Sequence, residues 1–201
     1  MRIYLASRSP RRRELLHQIG IAFDTLLFRT GQRSDAEVDE TPLPDEDALV
    51  YVERVARAKA EHGWKLVAMR RLVPQPVLSA DTTLEMDGRI IGKPVDEADA
   101  AAILRSLSGR SHRVLTGVAM HFQDRTEYVL SASEVRFREL DDEEIRHYVM
   151  SGEPMDKAGA YGIQGRAGIF VEHLAGSYTG VMGLPVCETA QLLKRFGCKP
   201  L

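Results

Sequence analysis

Apolar residues recur along the chain in two rhythms, one near every second position and one near every third or fourth. Residues 2–6 read as a short buried strand. Pro10 follows the turn Ser7-Arg8-Ser9 and sits where a helix takes its first residue; Leu15, Leu16 and Ile19 face that helix inward, and Gly20 ends it. Residues 21–27 read as a second strand. The polar stretch 29–47 holds Pro42 and Pro44 and reads as a loop with an acidic run. Leu49, Val52, Val55, Ala56 and Ala60 mark a second helix. Residues 76–86 read as a strand, Asp87-Gly88 as a tight turn and 89–92 as the return strand. A third helix carries Ala100, Ile103, Leu104 and Leu107 and stops at Gly109. Val114, Thr116, Val118, Met120 and Phe122 alternate along a strand, and 128–137 pairs with it across a turn near Asp124. Asp141 and Glu144 have capping-box spacing ahead of a helix through Ile145, Tyr148 and Val149. A glycine-dense stretch, 159–183, contains a strand at 169–174, and the last helix spans 185–196. Interleaved strands and helices make the class α/β, and the hairpins make the sheet mixed.

Length and charge narrow the function classes. A chain of 201 residues buries one substantial core or two lobes sharing a cleft. A net charge of -2 with no aromatic-basic stripe argues against nucleic acid as a partner. Cys187 and Cys198 have neither metal-ligand spacing nor a disulfide framework, and read as free thiols in a reducing compartment. The six histidines, His112 and His147 among them, show no paired metal spacing. The apolar run at the N-terminus is too short for a signal peptide, and no segment has the apolar length of a membrane span. The expectation is a cytoplasmic protein with no membrane partner.

Four segments carry candidate chemistry. At Ser7-Arg8-Ser9-Pro10-Arg11-Arg12-Arg13 a strand enters a helix through small residues, which presents backbone N–H groups to an anion. Hydroxyls and forked guanidinium donors add to that reading. Cations oppose the helix dipole there, a conflict that a bound polyphosphate would relieve; the alternative is three arginines solvating the outside of the helix. Lys59 projects from the apolar side of its helix, either snorkelling to the edge of the core or pointing into a polar cleft. Ser79-Ala80-Asp81-Thr82-Thr83 is a polar interruption in an apolar strand, and a buried Asp there needs partners. The run Glu37-Val38-Asp39-Glu40 offers a second carboxylate or is a solvated loop. In Lys157-Ala158-Gly159-Ala160-Tyr161-Gly162-Ile163-Gln164-Gly165 the glycines permit close backbone approach and Gln164 offers both donor and acceptor, without Walker spacing. Lys93 and Lys157 are ordinary loop lysines unless a ligand draws them together.

Taken in order, these motifs resemble the Maf family. The resemblance rests on Leu5-Ala6-Ser7-Arg8-Ser9-Pro10-Arg11-Arg12, Val38-Asp39-Glu40, Lys59, Ala80-Asp81-Thr82, Gly92-Lys93-Pro94, Leu107-Ser108-Gly109-Arg110-Ser111-His112, the 156–165 segment and Val181-Met182-Gly183-Leu184-Pro185. It spans nearly the whole chain as one Maf-like domain over 1–201, with Ser79 standing where many members carry Gly. It implies an elongated mixed sheet flanked by helices, with two lobes around a nucleotide-binding cleft, as in Maf and ITPase-like folds. It also implies a homodimer and metal-dependent cleavage of a nucleoside triphosphate between its α and β phosphates, with Mg²⁺ or Mn²⁺. At three positions that separate subgroups, Arg11, Thr82 and Gln164 resemble the dTTP/UTP-cleaving subgroup. The 7-methyl-GTP subgroup would show Trp, Gln and Glu there. On this reading Asp81 is the general base and, with Glu40, holds the metal. Ser7, Arg11, Arg12, Lys59 and Lys93 bind the triphosphate, while Thr82 and Gln164 face the base. The competing readings are a 7-methyl-GTP pyrophosphatase and a nucleotide-binding division regulator with little turnover.

Overall fold

The expected strand–helix order is that of the computed structural model, which describes residues 2–28 and 38–200. The first strand, β1 (Ile3–Leu5), is buried throughout and leads through Ser9 into α1 (Pro10–Gln18). Ser9 caps this helix by accepting the Arg12 N–H, and Pro10 supplies the preset φ of a first turn. β2 (Phe23–Thr25) is shorter than the apolar run 21–27 suggested. Of the expected loop 29–47, residues 29–37, Glu37 included, lie outside the described residues; 38–47 contain no helix or strand.

α2 (Ala48–Met69) extends well past the periodic residues that predicted it. It runs through Gly63, an unfavourable residue in a helix interior. A Cβ there would lie 2.8 Å from Val77 Cγ1, so the glycine lets helix and strand approach closely, and Leu66 and Val67 bury the next turn. The hairpin of β3 (Val77–Met86) and β4 (Arg89–Ile91) turns at Asp87 and Gly88, both with positive φ, 54° and 75°. After α3 (Glu97–Leu107) comes the long hairpin of β5 (Ser111–Phe122) and β6 (Arg125–Phe137). The alternation seen at 114–122 hides a strand buried on both faces from Val114 to Met120. The Asp141–Glu144 capping box opens α4 (Asp142–Met150). Three short 3₁₀ turns follow, then β7 (Val171–Ala175), the single-turn α5 (Tyr178–Val181) and α6 (Val186–Arg195).

The seven strands form one mixed sheet in the order β2-β1-β3-β5-β6-β7, with β4 also on β3. β1 is parallel to β2 and β3, and the remaining pairs are antiparallel. On the face opposite α2 the apolar core divides in two. An aliphatic cluster joins β1 to α1 and α6, and a cluster rich in aromatic rings joins β3, β5 and β6 to α3 and α4. Thr82, Thr116 and Ser131 lie between the two clusters, at paired positions of β3, β5 and β6.

β3 is paired with β5 along 77–85, but on its other side β1 reaches only to Leu78 and β4 begins only at Leu84. Along 79–83 that side has no strand neighbour among the described residues. Side chains from both faces of β3 therefore border the same opening.

Candidate active site

Asp81 stands in this opening on the face covered by α2. Its carboxylate is almost wholly buried, and such a charge requires a partner. Lys59, from α2, supplies it: Nζ donates to Asp81 Oδ1 at 2.9 Å and lies 2.8 Å from Glu40 Oε2. Lys59 therefore points into a polar cleft rather than snorkelling. No donor among the described residues reaches Asp81 Oδ2.

Glu40 is held from α2 as well. Tyr51 donates its hydroxyl to the Glu40 carbonyl at 2.9 Å, and burial, then Asp81 and Glu40, push that phenol's pKa up, keeping it a donor. Arg54 donates to the carbonyls of Asp39 and Thr41 and forks onto the Glu46 carboxylate at 2.6 and 2.8 Å. Hydrogen bonds from Arg54 outweigh the effect of burial and hold Glu46 down at about 2.

The α1 side contributes cations, and the first turn of that helix contains no acidic residue. Arg12 turns inward: Nε donates to Gly183 O at 2.8 Å, Nη1 to Ser7 Oγ at 3.3 Å and Nη2 to Thr82 Oγ1 at 3.1 Å. Burial pulls this guanidinium below its ordinary value, Asp81 opposes the pull, Arg11 adds to it and Glu40 opposes it. The group stays cationic all the same, since an arginine starts so far above neutrality.

A cavity of about 410 Å³ is lined by Arg11, Arg12, Glu40, Lys59, Asp81, Thr82, Lys93 and Gln164. Ser7 lines an adjoining cavity of about 520 Å³, which shares Arg11, Arg12, Glu40, Lys59 and Lys93 with the first. The structure thus brings together every residue that sequence reasoning singled out for the site. Lys93 and Gln164 are exposed at the rim. Lys157 also lines the first cavity, but its ammonium is engaged by Asp156 and the Glu153 carbonyl at 2.5 and 2.6 Å. Thr82 lines the first cavity, and its hydroxyl is already taken by Arg12 and by Thr116 Oγ1 at 3.0 Å.

Sequence reasoning missed Tyr51, Arg54 and the role of Thr116. Only Thr116 carried a visible signal, a hydroxyl among aliphatic residues on an alternating strand. Tyr161 also lines the cavity and pairs its hydroxyl with His112 Nε2 at 2.8 Å. Burial lowers the His112 imidazole to about 4. Among the described residues no group of three or more His, Cys, Asp or Glu is placed to hold a metal, and no helix is long and apolar enough to cross a membrane.

This arrangement can hold a polyanion on arginines and lysines beside a carboxylate with one oxygen that no described residue engages. Comparison with known proteins points the same way. The family model described as Maf-like protein matches residues 2–196. A dTTP/UTP pyrophosphatase of Dechloromonas aromatica (strain RCB) is 76% identical over 201 residues, covering 100% of both chains. A dTTP/UTP pyrophosphatase of Aromatoleum aromaticum is 66% identical over 197 residues, covering 98% of this chain and 96% of its own. The solved structure of the Staphylococcus aureus Ham1 protein superposes with a TM-score of 0.48 at 18% identity, covering 68% of this chain and 72% of that one.

Proposed function

The chain belongs to the Maf family, and on that premise we propose that it hydrolyses dTTP and UTP to the monophosphate and pyrophosphate, the substrates that name its close relatives. It is a nucleoside triphosphate pyrophosphatase. The observation that carries the reading is the Asp81–Lys59 pair, set at 2.9 Å in the wall of a cavity that also receives Arg11, Arg12 and Lys93.

Lys59 fixes the Asp81 carboxylate through Oδ1, which leaves Oδ2 to take a proton from the water that attacks the α-phosphorus. Arg12, with Ser7 beside it, takes phosphate oxygens from the α1 side, and Arg11 and Lys93 close on them from the rim. Together they offset the charge that grows in the transition state. Gln164 presents its amide to the pyrimidine edge.

The donor set suits a hard dication. Glu40 and Asp81 each engage Lys59 Nζ through one oxygen and keep a second, and Mg²⁺ is commonly bound by one or two carboxylates with phosphate and water oxygens completing the shell. Held by Glu40 and Asp81, Mg²⁺ or Mn²⁺ would polarise a phosphate oxygen and lower the pKa of a bound water. The proposal includes a homodimer in the cytoplasm, checked by sedimentation and by cell fractionation.

The test is pyrophosphate release from a nucleotide panel with either metal, comparing wild type with Asp81→Asn. Release from dTTP and UTP is expected, with kcat falling about 100-fold or more in the variant. Preference for 7-methyl-GTP would keep the enzyme class and discard the base assignment. Tight nucleotide binding without turnover would put the division-regulator reading first.

A further inference from the structure

Thr116 is fully buried in the middle of β5, out of reach of any ligand in the cavity, yet its hydroxyl ends a chain that starts at Arg12. Counting protons gives that chain a direction. Gly180 O is a carbonyl and can only accept, so Thr116 spends its single proton there, at 2.7 Å. Where the two hydroxyls meet, Thr116 therefore accepts and Thr82 donates. Thr82 has only lone pairs left, and one of them takes Arg12 Nη2.

Arg12 Nε meanwhile donates to Gly183 O, so the guanidinium is tied to the 180–183 segment by two routes. That segment must run close to the sheet. A Cβ on Gly180 would lie 2.7 Å from Ser131 Oγ, and Gly183 has a φ of +111°. Of the five guanidinium N–H groups, three are engaged by Gly183, Ser7 and Thr82. One remains on each terminal nitrogen, a fork suited to phosphate oxygens.

We propose that Thr116 is a positioning residue for the triphosphate, acting through Thr82 to fix the guanidinium plane of Arg12. Thr82 thereby has no proton to give a base carbonyl, and the pair governs the grip on the phosphates equally for every base. The inference rests on the reading of Arg12 as a phosphate-holding residue.

The experiment uses the full chain with Thr116→Val, which keeps the shape and removes the hydroxyl, and Thr116→Ser, which keeps the hydroxyl. Steady-state pyrophosphate release is measured from dTTP, UTP, CTP and GTP. Thr116→Val is expected to raise KM about tenfold for each nucleotide accepted, with a smaller fall in kcat, and Thr116→Ser to restore both. In an Arg12→Lys background Thr116→Val should add nothing to KM, whereas a residue that only fills space would exact the same cost in both backgrounds.

An unchanged KM in folded Thr116→Val, equal shifts in both backgrounds, or a shift confined to one base would each overturn the proposal. If Thr116→Val does not fold, Thr82→Val crossed with Arg12→Lys runs the same cycle from the other hydroxyl. Wild-type protein that releases nothing refutes the proposed function alone, and the cycle is then read from the Kd of dTTP by calorimetry. Absence of binding refutes both.

Discussion

The two faces of β3 make opposite demands on the molecule. Toward α2, beyond Val77 against Gly63, the strand shows Ser79, Asp81, Thr83 and Glu85, all buried and all polar. Toward α1, α3 and α6 it shows Leu78, Ala80, Thr82, Leu84 and Met86, apolar except at the middle. What looked in the sequence like a polar interruption is a polar face, read every second residue. Ser79 donates to the Ala56 carbonyl at 2.6 Å, Asp81 pairs with Lys59, and Glu85 accepts from Gly88 N and Arg113 Nε. The other face asks for packing, with one hydroxyl relay inserted where the two apolar clusters part. Charge belongs to one side of the strand and neutral positioning to the other, so damage to the two sides should read differently.

The largest expected difference is in stability. Lys59→Met leaves a buried carboxylate without its cation, and urea unfolding at neutral pH should show a loss of about 3–5 kcal/mol. A loss below about 1 kcal/mol, the range of exposed pairs, would mean that the polar face is effectively solvated and the contrast is false. Next comes acid sensitivity on the apolar side, where the hydroxyls do not titrate and the buried imidazole of His112 does. Its folded value of about 4 lies below the ordinary 6.5, so the unfolded chain takes up a proton that the native state refuses. The stability from this group is whole above pH 6.5 and is lost as pH falls through 4, a change of about 3 kcal/mol. Unfolding measured across that window should flatten in His112→Gln; an unchanged slope would move the acid response to the carboxylates of the other face. Smallest is Thr82→Val, which removes one hydroxyl at the cavity wall and should cost about 1 kcal/mol. A loss matching that of Lys59→Met would erase the distinction between the faces.

Local chemistry made much of this legible. Asp87-Gly88, the Asp141–Glu144 box and Pro10 after Ser9 act within a few residues, and each lies where its turn or cap requires it. Lys59 was readable because its spacing from Val52, Val55 and Ala56 put a cation on an apolar face. What escaped depends on neighbours distant in sequence. The passage of α2 through Gly63 is explained by Val77 across the interface, which helix propensity does not register. The burial of both faces of β5 follows from what covers the sheet, and its own alternation understated it. The bonds of Thr82 were out of view because its partners, Arg12 and Thr116, lie 70 and 34 residues away. The clamp of Arg54 on 39–46 is likewise invisible without the folded loop.

The opening beside residues 79–83 is made by omission: β1 stops, β4 has not begun, and no strand among the described residues is inserted between them. For an engineer this is a slot of adjustable length. Each residue added to the C-terminal end of β1 or of β4, past Leu5 or Ile91, would shorten it by about 3.3 Å. So brief a bare edge also offers an incoming chain little to zip onto, so the molecule can keep a gap in its sheet without inviting other chains to fill it.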